Sequence, residues 1–335
     1  MSRSQILILP LILGCLSMSN AGSPPSRGVL LIANKGDQTL GIIDPDAGKQ
    51  IATVPESGVT GHEVIASPDG RLAYVPIYGN SGVGKPGTDG SNLVVVDIAS
   101  HKIVGNVNFG HGVRPHCPMF GPKDGLLYVS TELDNAITII DPRTLQIVGS
   151  VPTGRPESHM FAITHDGRFA YATNVGSGTV SVLDLAARKT LDVISVAPMV
   201  QRIALSIDDR FVFTSDQSKP QLAVIDTSTR KVAQWIPMPA TGYGSAATLD
   251  GKWLVIALPG AKQVGVINLT TMKLEHTIDV PASPQEVLIR PDGAVAYVSC
   301  DASRKVAEIR TSDWTVTRLI DAGPGADGLA WAGQK

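Results

Sequence analysis

The sequence predicts an all-β protein: a seven-bladed β-propeller with four-stranded blades, closed by N- and C-terminal strands in one blade. Three observations carry this. A turn motif recurs along the chain, a second motif recurs in phase with it, and the two ends hold complementary fragments of one unit. The turn is Ser67-Pro68-Asp69-Gly70, with relatives ending at Gly125, Gly167, Asp209, Gly251 and Gly293 and a degenerate one at Gly333. Most steps between them are 42 residues, and one is 55. The in-phase motif is a short apolar strand ending in a turn-capping residue, as in Gly41–Asp44, Val94–Asp97, Thr138–Asp141, Ser181–Asp184 and Ala223–Asp226. Gly265–Asn268 and Ala307–Arg310 complete seven copies. Fixed periods of this length mark repeat architectures, and a unit of about 42 residues holding four short strands is a propeller blade.

The third unit shows how each blade reads. His159–Thr164, Arg168–Thr173, Thr179–Asp184 and Thr190–Val196 alternate apolar and small residues at period two, and no segment carries a helical stripe. At the ends, Ala326–Trp331 matches a first strand without partners, while Val29–Val54 supplies three strands without a first. Pairing them removes an open sheet edge.

Upstream of the repeats, residues 1–21 read as a cleaved signal peptide. Arg3 precedes the apolar Ile6–Leu13, and Ser19-Asn20-Ala21 offers a small-x-small cleavage site. A second reading is a lipid anchor at Cys15, within Ile12-Leu13-Gly14-Cys15. Residues 22–28 form a short linker and 29–333 the propeller. The protein is expected in the periplasm or secreted, as a monomer without a transmembrane segment. Net charge is −2, no basic run exists and aromatics make up 5 %, which argues against nucleic acid as a partner. Only Cys117 and Cys300 remain beyond Cys15, so no disulfide framework is expected.

Tyr171-Ala172-Thr173-Asn174, followed by Gly-Ser-Gly and Val180–Asp184, is similar to the repeat that names the YVTN/YncE-like propellers. Tyr128–Thr131 and Tyr297–Ser299 are weaker copies. The resemblance covers the repeats and implies the fold. For function it implies only a range, from binding and cell-surface proteins to accessories of exported redox or quinoprotein pathways.

Functional candidates come from alignment of the first strands, which line the channel and open on one face. Counting back from each turn, one column reads His62, His116, His159, Gln201, Tyr243, Gln285 and Ala326. The chain has seven histidines, and three of them share this column in consecutive blades. Three convergent imidazoles are the ligand set of a zinc, copper or iron site with a position left open. Glu63 and Glu157, beside the column, are candidate proton shuttles. Arg114, Arg155 and Arg202, with Tyr243 and Gln285, would suit a small anionic ligand. The expectation is a metal- or ligand-binding propeller; a metal-dependent lyase, lactonase or oxidoreductase and a protein-interaction disc are the alternatives. The partner is a small molecule or metal ion, with a periplasmic protein as a further one. The extra residues of the long step fall in Ile77–Ser91, a Gly-rich loop expected to project over the histidines.

Overall fold

The structure, a computed structural model, describes residues 27–80 and 82–333. The expected signal peptide and the Cys15 anchor lie outside the described residues. Seven four-stranded antiparallel sheets form a ring. Among the described residues no helix is long and apolar enough to cross a membrane.

Six blades are continuous in sequence, and the first is composite. Its innermost strand is Ala326–Gly333, paired with Gly28–Asn34 in the register Leu30↔Trp331, Leu31↔Ala330 and Ile32↔Leu329. In the fourth blade the strands are Ser158–Ile163, Phe169–Asn174, Thr179–Asp184 and Lys189–Ser195, within a residue or so of the sequence expectation.

Burial explains the residue choice in each strand. Middle strands are sandwiched between neighbouring sheets, so both faces are covered and their sequences are continuous apolar runs: Leu93, Val94, Val95 and Val96 are all buried. Outermost strands meet solvent on one side and alternate accordingly, as in Lys49–Pro55, where Val54 is buried between exposed neighbours. The recurring Asp is structural. Asp44, Asp97, Asp141, Asp184 and Asp226 each accept a backbone N–H two or three residues on, and Asn268 does the same in the sixth blade.

The turn between first and second strands needs a left-handed residue. Gly70, Gly125, Gly167, Gly251 and Gly293 supply it with φ between 66° and 72°, and Asp209 takes the same place at φ 57°. At the other end of the first strand lies a bulge. Pro115 pairs with Thr131 and Pro118 with Val129, so one extra residue sits between them; Ser158–Phe161 and Pro284–Val287 repeat this. His116, His159 and Gln285 stand directly after the first paired residue, inside the irregularity. Such bulges re-aim side chains near functional sites.

The bulge corrects one alignment. Ala326 pairs with Asn34 and Leu329 with Ile32, the spacing seen at Pro115–Pro118 and Pro284–Val287. Gly325 is left-handed, as are Arg114, Glu157 and Ser283 just before the corresponding residues. Ala326 is therefore the counterpart of Pro115, and the residue in the histidine column is Asp327. The last turn, at Gly333, lacks the Ser/Thr-x-Asp-Gly landmark from which the offset was counted.

Candidate functional site

The three histidines of the column do come together. The rings of His116 and His159 lie 3.9 Å apart between centroids, tilted by 35°, and His62 stands edge-on to His116 at 5.5 Å. Tyr78, from the second strand of the His62 blade, stacks on His62 at 4.7 Å. His116 and His159 are 2 % exposed, and His62 is half-buried.

The expected preformed three-histidine metal site is not what this cluster makes. Among the described residues, no group of three or more His, Cys, Asp or Glu is placed to hold an ion. A physical reason accounts for this: both nitrogens of His159 are already engaged. Its Nδ1–H donates to Glu132 Oε2 at 2.9 Å, and the Gln201 amide donates to its Nε2 at 3.2 Å.

Glu132 is the residue that sequence reasoning missed. It opens the short 3-10 turn after the second strand of the His116 blade and is fully buried. Tyr78 Oη donates to it at 2.8 Å and Arg114 Nη1 at 3.2 Å, in addition to His159. Burial alone would raise its pKa, but these three donors outweigh that and hold the carboxyl below the ordinary value. A carboxylate that fixes an imidazole tautomer in this way is common behind functional histidines.

Burial dominates the imidazoles. It drives His62 down to about 4, with Asp327 pulling partly back, and lowers His116 well below the ordinary value, aided by the neighbouring rings. His159 is lowered by burial against the opposing pull of Glu132. All three are neutral at pH 7, the form that binds metals and accepts hydrogen bonds. His116 Nδ1 is buried with no partner, and His62 makes no side-chain hydrogen bond among the described residues.

The arginines and acids sort differently from expectation. Arg114 is buried and holds the long connection of the His62 blade: Nε to Asp89 at 2.6 Å, Nη2 to the Lys85 carbonyl at 2.7 Å and Nη1 to the Gly82 carbonyl at 3.4 Å. Four of its five N–H donors are engaged within the chain, so it is a strut for that loop. The strands on either side extend to Gly79 and Asp89, narrower bounds than the expected Ile77–Ser91. Glu63 and Arg202 stand one residue deeper than the column, in the channel. Arg202 Nη1 donates to Glu63 at 2.5 Å and Glu286 at 2.7 Å, Nη2 donates to Asp327 at 3.3 Å, and the guanidinium lies over the Tyr243 ring at 4.5 Å. Glu63 is thus an ion-pair partner in the channel and not a proton shuttle beside the histidines. Among the described residues the Glu157 carboxylate makes no hydrogen bond to any of the three imidazoles; it lies beside Gly84 and Gly176. Arg155 is exposed on the entering loop. Gln285 donates to Ser283 Oγ at 3.1 Å. Tyr243 and Gln285 line a hollow of about 540 Å³ with Gln217, Thr241 and Pro259.

Burial raises Glu63 to about 8 and Glu286 to about 7 against the pull of Arg202. The folded state therefore binds more protons than the unfolded chain between about pH 4.5 and 8, and this contribution to stability falls as pH rises. The depressed histidines act oppositely: folded protein binds fewer protons from about pH 4 to 6.5, so their contribution grows with pH up to 6.5. Glu56, raised by burial to about 7, adds a third such carboxylate. Below about pH 6.5 the carboxylates and histidines offset each other, and above it only the carboxylates act, so stability is expected to fall between pH 6.5 and 8. Urea midpoints across pH 4.5–8.5 check this, with the decline flattened in the Glu63→Gln/Glu286→Gln variant. Stability that rises from pH 6.5 to 8 would refute it.

The fold and this mouth define a seven-bladed propeller with a cluster of neutral, buried histidines at one end of its channel. A family model for the cytochrome D1 heme domain matches residues 123–323, more than half of the chain, and the protein belongs to that family. The 6-phosphogluconolactonase of Bacillus subtilis (strain 168) is 30 % identical over 91 residues, 24 % of this chain and 26 % of that protein. The seven-bladed beta-propeller protein Rv1057 of Mycobacterium tuberculosis is 32 % identical over 137 residues, 40 % of this chain and 32 % of that protein. The chain thus spans about a third or less of the length of these curated relatives. Among solved structures, a hydrazine synthase chain from Kuenenia stuttgartiensis superposes with a TM-score of 0.73 at 20 % identity, covering 89 % of this chain and 99 % of that one. The dihydro-heme d1 dehydrogenase NirN, in complex with DHE, gives 0.66 at 15 % identity, covering 94 % and 78 %. At those identities the likeness is one of fold. The YVTN-like resemblance rests on the repeat residues alone.

Proposed function

We propose that the histidine mouth binds a heme-related tetrapyrrole, with the His62 imidazole as the ligand to its iron. The observation that carries this is a half-buried imidazole, neutral at pH 7, with no hydrogen-bond partner in the chain, beside the buried His116–His159 stack. The donor chemistry fits: a neutral imidazole is a good ligand for iron, and the half-buried Tyr243 of the same column offers aromatic surface. The hollow at Tyr243 and Gln285 gives room on the same face. Arg155, exposed and in no ion pair among the described residues, is available to a ligand carboxylate. Membership of the cytochrome D1 heme domain family supports the same ligand class. When bound, such a group supplies redox chemistry; the chain supplies His62, the packing that orients it and the exclusion of water by the buried pair behind it. On this reading the protein serves a redox pathway outside the cytoplasm, acting as a monomer.

Titration of the purified protein with ferric heme tests the reading. A shifted Soret band at one equivalent is expected, with His62→Ala weakening binding by at least about ten-fold. Metal-free protoporphyrin should bind less tightly than heme. If His62→Ala binds heme as the parent does, or if the metal-free ring binds equally well, His62 is not an iron ligand. The mouth then holds organic anions through hydrogen bonds alone.

A further inference from the structure

A second cavity opens on the face opposite the histidines. It has a volume of about 500 Å³ and is walled by the first strands, with Val64, Phe161, Ile203, Leu288, Leu329 and Trp331 among its apolar lining. His165, Ile207 and Pro291, from the turns after the first strands, form its rim, and Glu63 and Glu286 close its inner end. From the level of Glu63 to Ser67 is four residues of strand, about 13 Å of depth at about 3.3 Å per residue. An apolar shaft ending in carboxylates is a chemically specific shape.

We propose that this shaft binds an elongated apolar amine, its hydrocarbon chain along the strand walls and its ammonium between Glu63 and Glu286. Charge count argues for the head group. Glu63, Glu286 and Asp327 surround Arg202, while Lys35 reaches Asp327 at 2.9 Å and is shared with Asp301 at 3.5 Å. The buried acids outnumber the cations, and among the described residues Arg202 is the only side chain that donates to Glu63 or Glu286. An incoming ammonium supplies the missing charge and hydrogen bonds at a place where an unpaired carboxylate is costly. An anionic head would meet three carboxylates around a guanidinium already engaged by all of them. A neutral head would leave the imbalance in place. The raised protonation of Glu63 and Glu286 is consistent with that shortage, and an ammonium takes the place of the retained proton. Other titratable groups nearby are Cys117, whose thiol burial raises it to about 12, and Tyr243 and His62 on the opposite side of Arg202.

The test uses the full chain with decylamine, decanol and decanoate below their aggregation limits, followed by calorimetry. Decylamine should bind at least about ten-fold more tightly than decanol, the margin of one charge-assisted hydrogen bond over a neutral one, and decanoate should not bind. Binding at pH 7 should release protons, read from the heat in buffers of different ionisation enthalpy. Glu63→Gln/Glu286→Gln should erase the advantage of the amine over the alcohol. Ala246→Trp, which fills the shaft wall, should block the amine and the alcohol without changing heme titration at the other face. Equal affinity for amine and alcohol, or amine binding that survives Ala246→Trp, overturns the proposal. The heme experiment stands or falls separately.

Discussion

Replacing Glu132 by Ala should destabilise the protein by roughly 3–5 kcal/mol, because three buried donors lose their shared acceptor and Arg114 keeps only Asp89 as an ion-pair partner. The carboxylate is fully buried and is the acceptor shared by Arg114, His159 and Tyr78. Three donors lose their acceptor at once. Tyr78→Phe is the control: it removes one neutral donor, leaves the carboxylate with two, and should cost only about 1–1.5 kcal/mol. Urea denaturation of both variants and of the double variant measures the coupling directly. Glu132→Ala falling by less than about 1 kcal/mol would mean that the network contributes little and that the histidines are positioned by packing alone.

The second large effect concerns Arg202→Met. The guanidinium is 2 % exposed and bridges Glu63, Glu286 and Asp327. Burial works to lower its pKa, but the surrounding carboxylates hold it well above the ordinary value, so it is charged at every accessible pH. Removing it leaves the cluster with Lys35 as its remaining cation, at an expected cost of about 3–5 kcal/mol at pH 8. The cost should shrink as pH falls towards 5, since Glu63 and Glu286 then take up protons and lose their charge. Adding Glu63→Gln and Glu286→Gln to Arg202→Met should recover most of the stability at pH 8. Arg202→Lys should not, because one ammonium cannot reproduce two guanidinium nitrogens directed at separate carboxylates. A pH-independent deficit in Arg202→Met would show that packing against Tyr243, and not neutralisation, is what the arginine supplies.

The ring was legible because blade strands are local. Period-two strands and Ser/Thr-x-Asp-Gly turns state their roles within a few residues, and the 42-residue repeat multiplies that signal. The histidine column was legible for the same reason: equal offsets from equivalent turns place His62, His116 and His159 alike. Asp327 was missed by one residue because its turn has decayed. Glu132 and Tyr78 escaped because they belong to second strands and the turns after them, and they reach the histidines only through blade-to-blade packing. The acid–arginine cluster was invisible for a stronger reason. Glu63 and Arg202 are 139 residues apart, and nothing near either names the other. Sequence shows a charge; only the folded ring shows what neutralises it.

The closing strand has a kinetic consequence. Leu30 and Trp331 pair across nearly the whole chain, a contact that costs little more entropy than a shorter loop but forms slowly and late. In a chain made from its N-terminus, the first blade waits with three strands and the exposed edge of Gly28–Asn34 until Ala326–Gly333 arrives. The strand that latches the ring also carries Asp327, which holds both Arg202 and Lys35. Ring closure and completion of the channel's charge cluster are therefore one event. A newly made chain has its histidines early, but the channel beneath them matures only when the last eight strand residues snap into place.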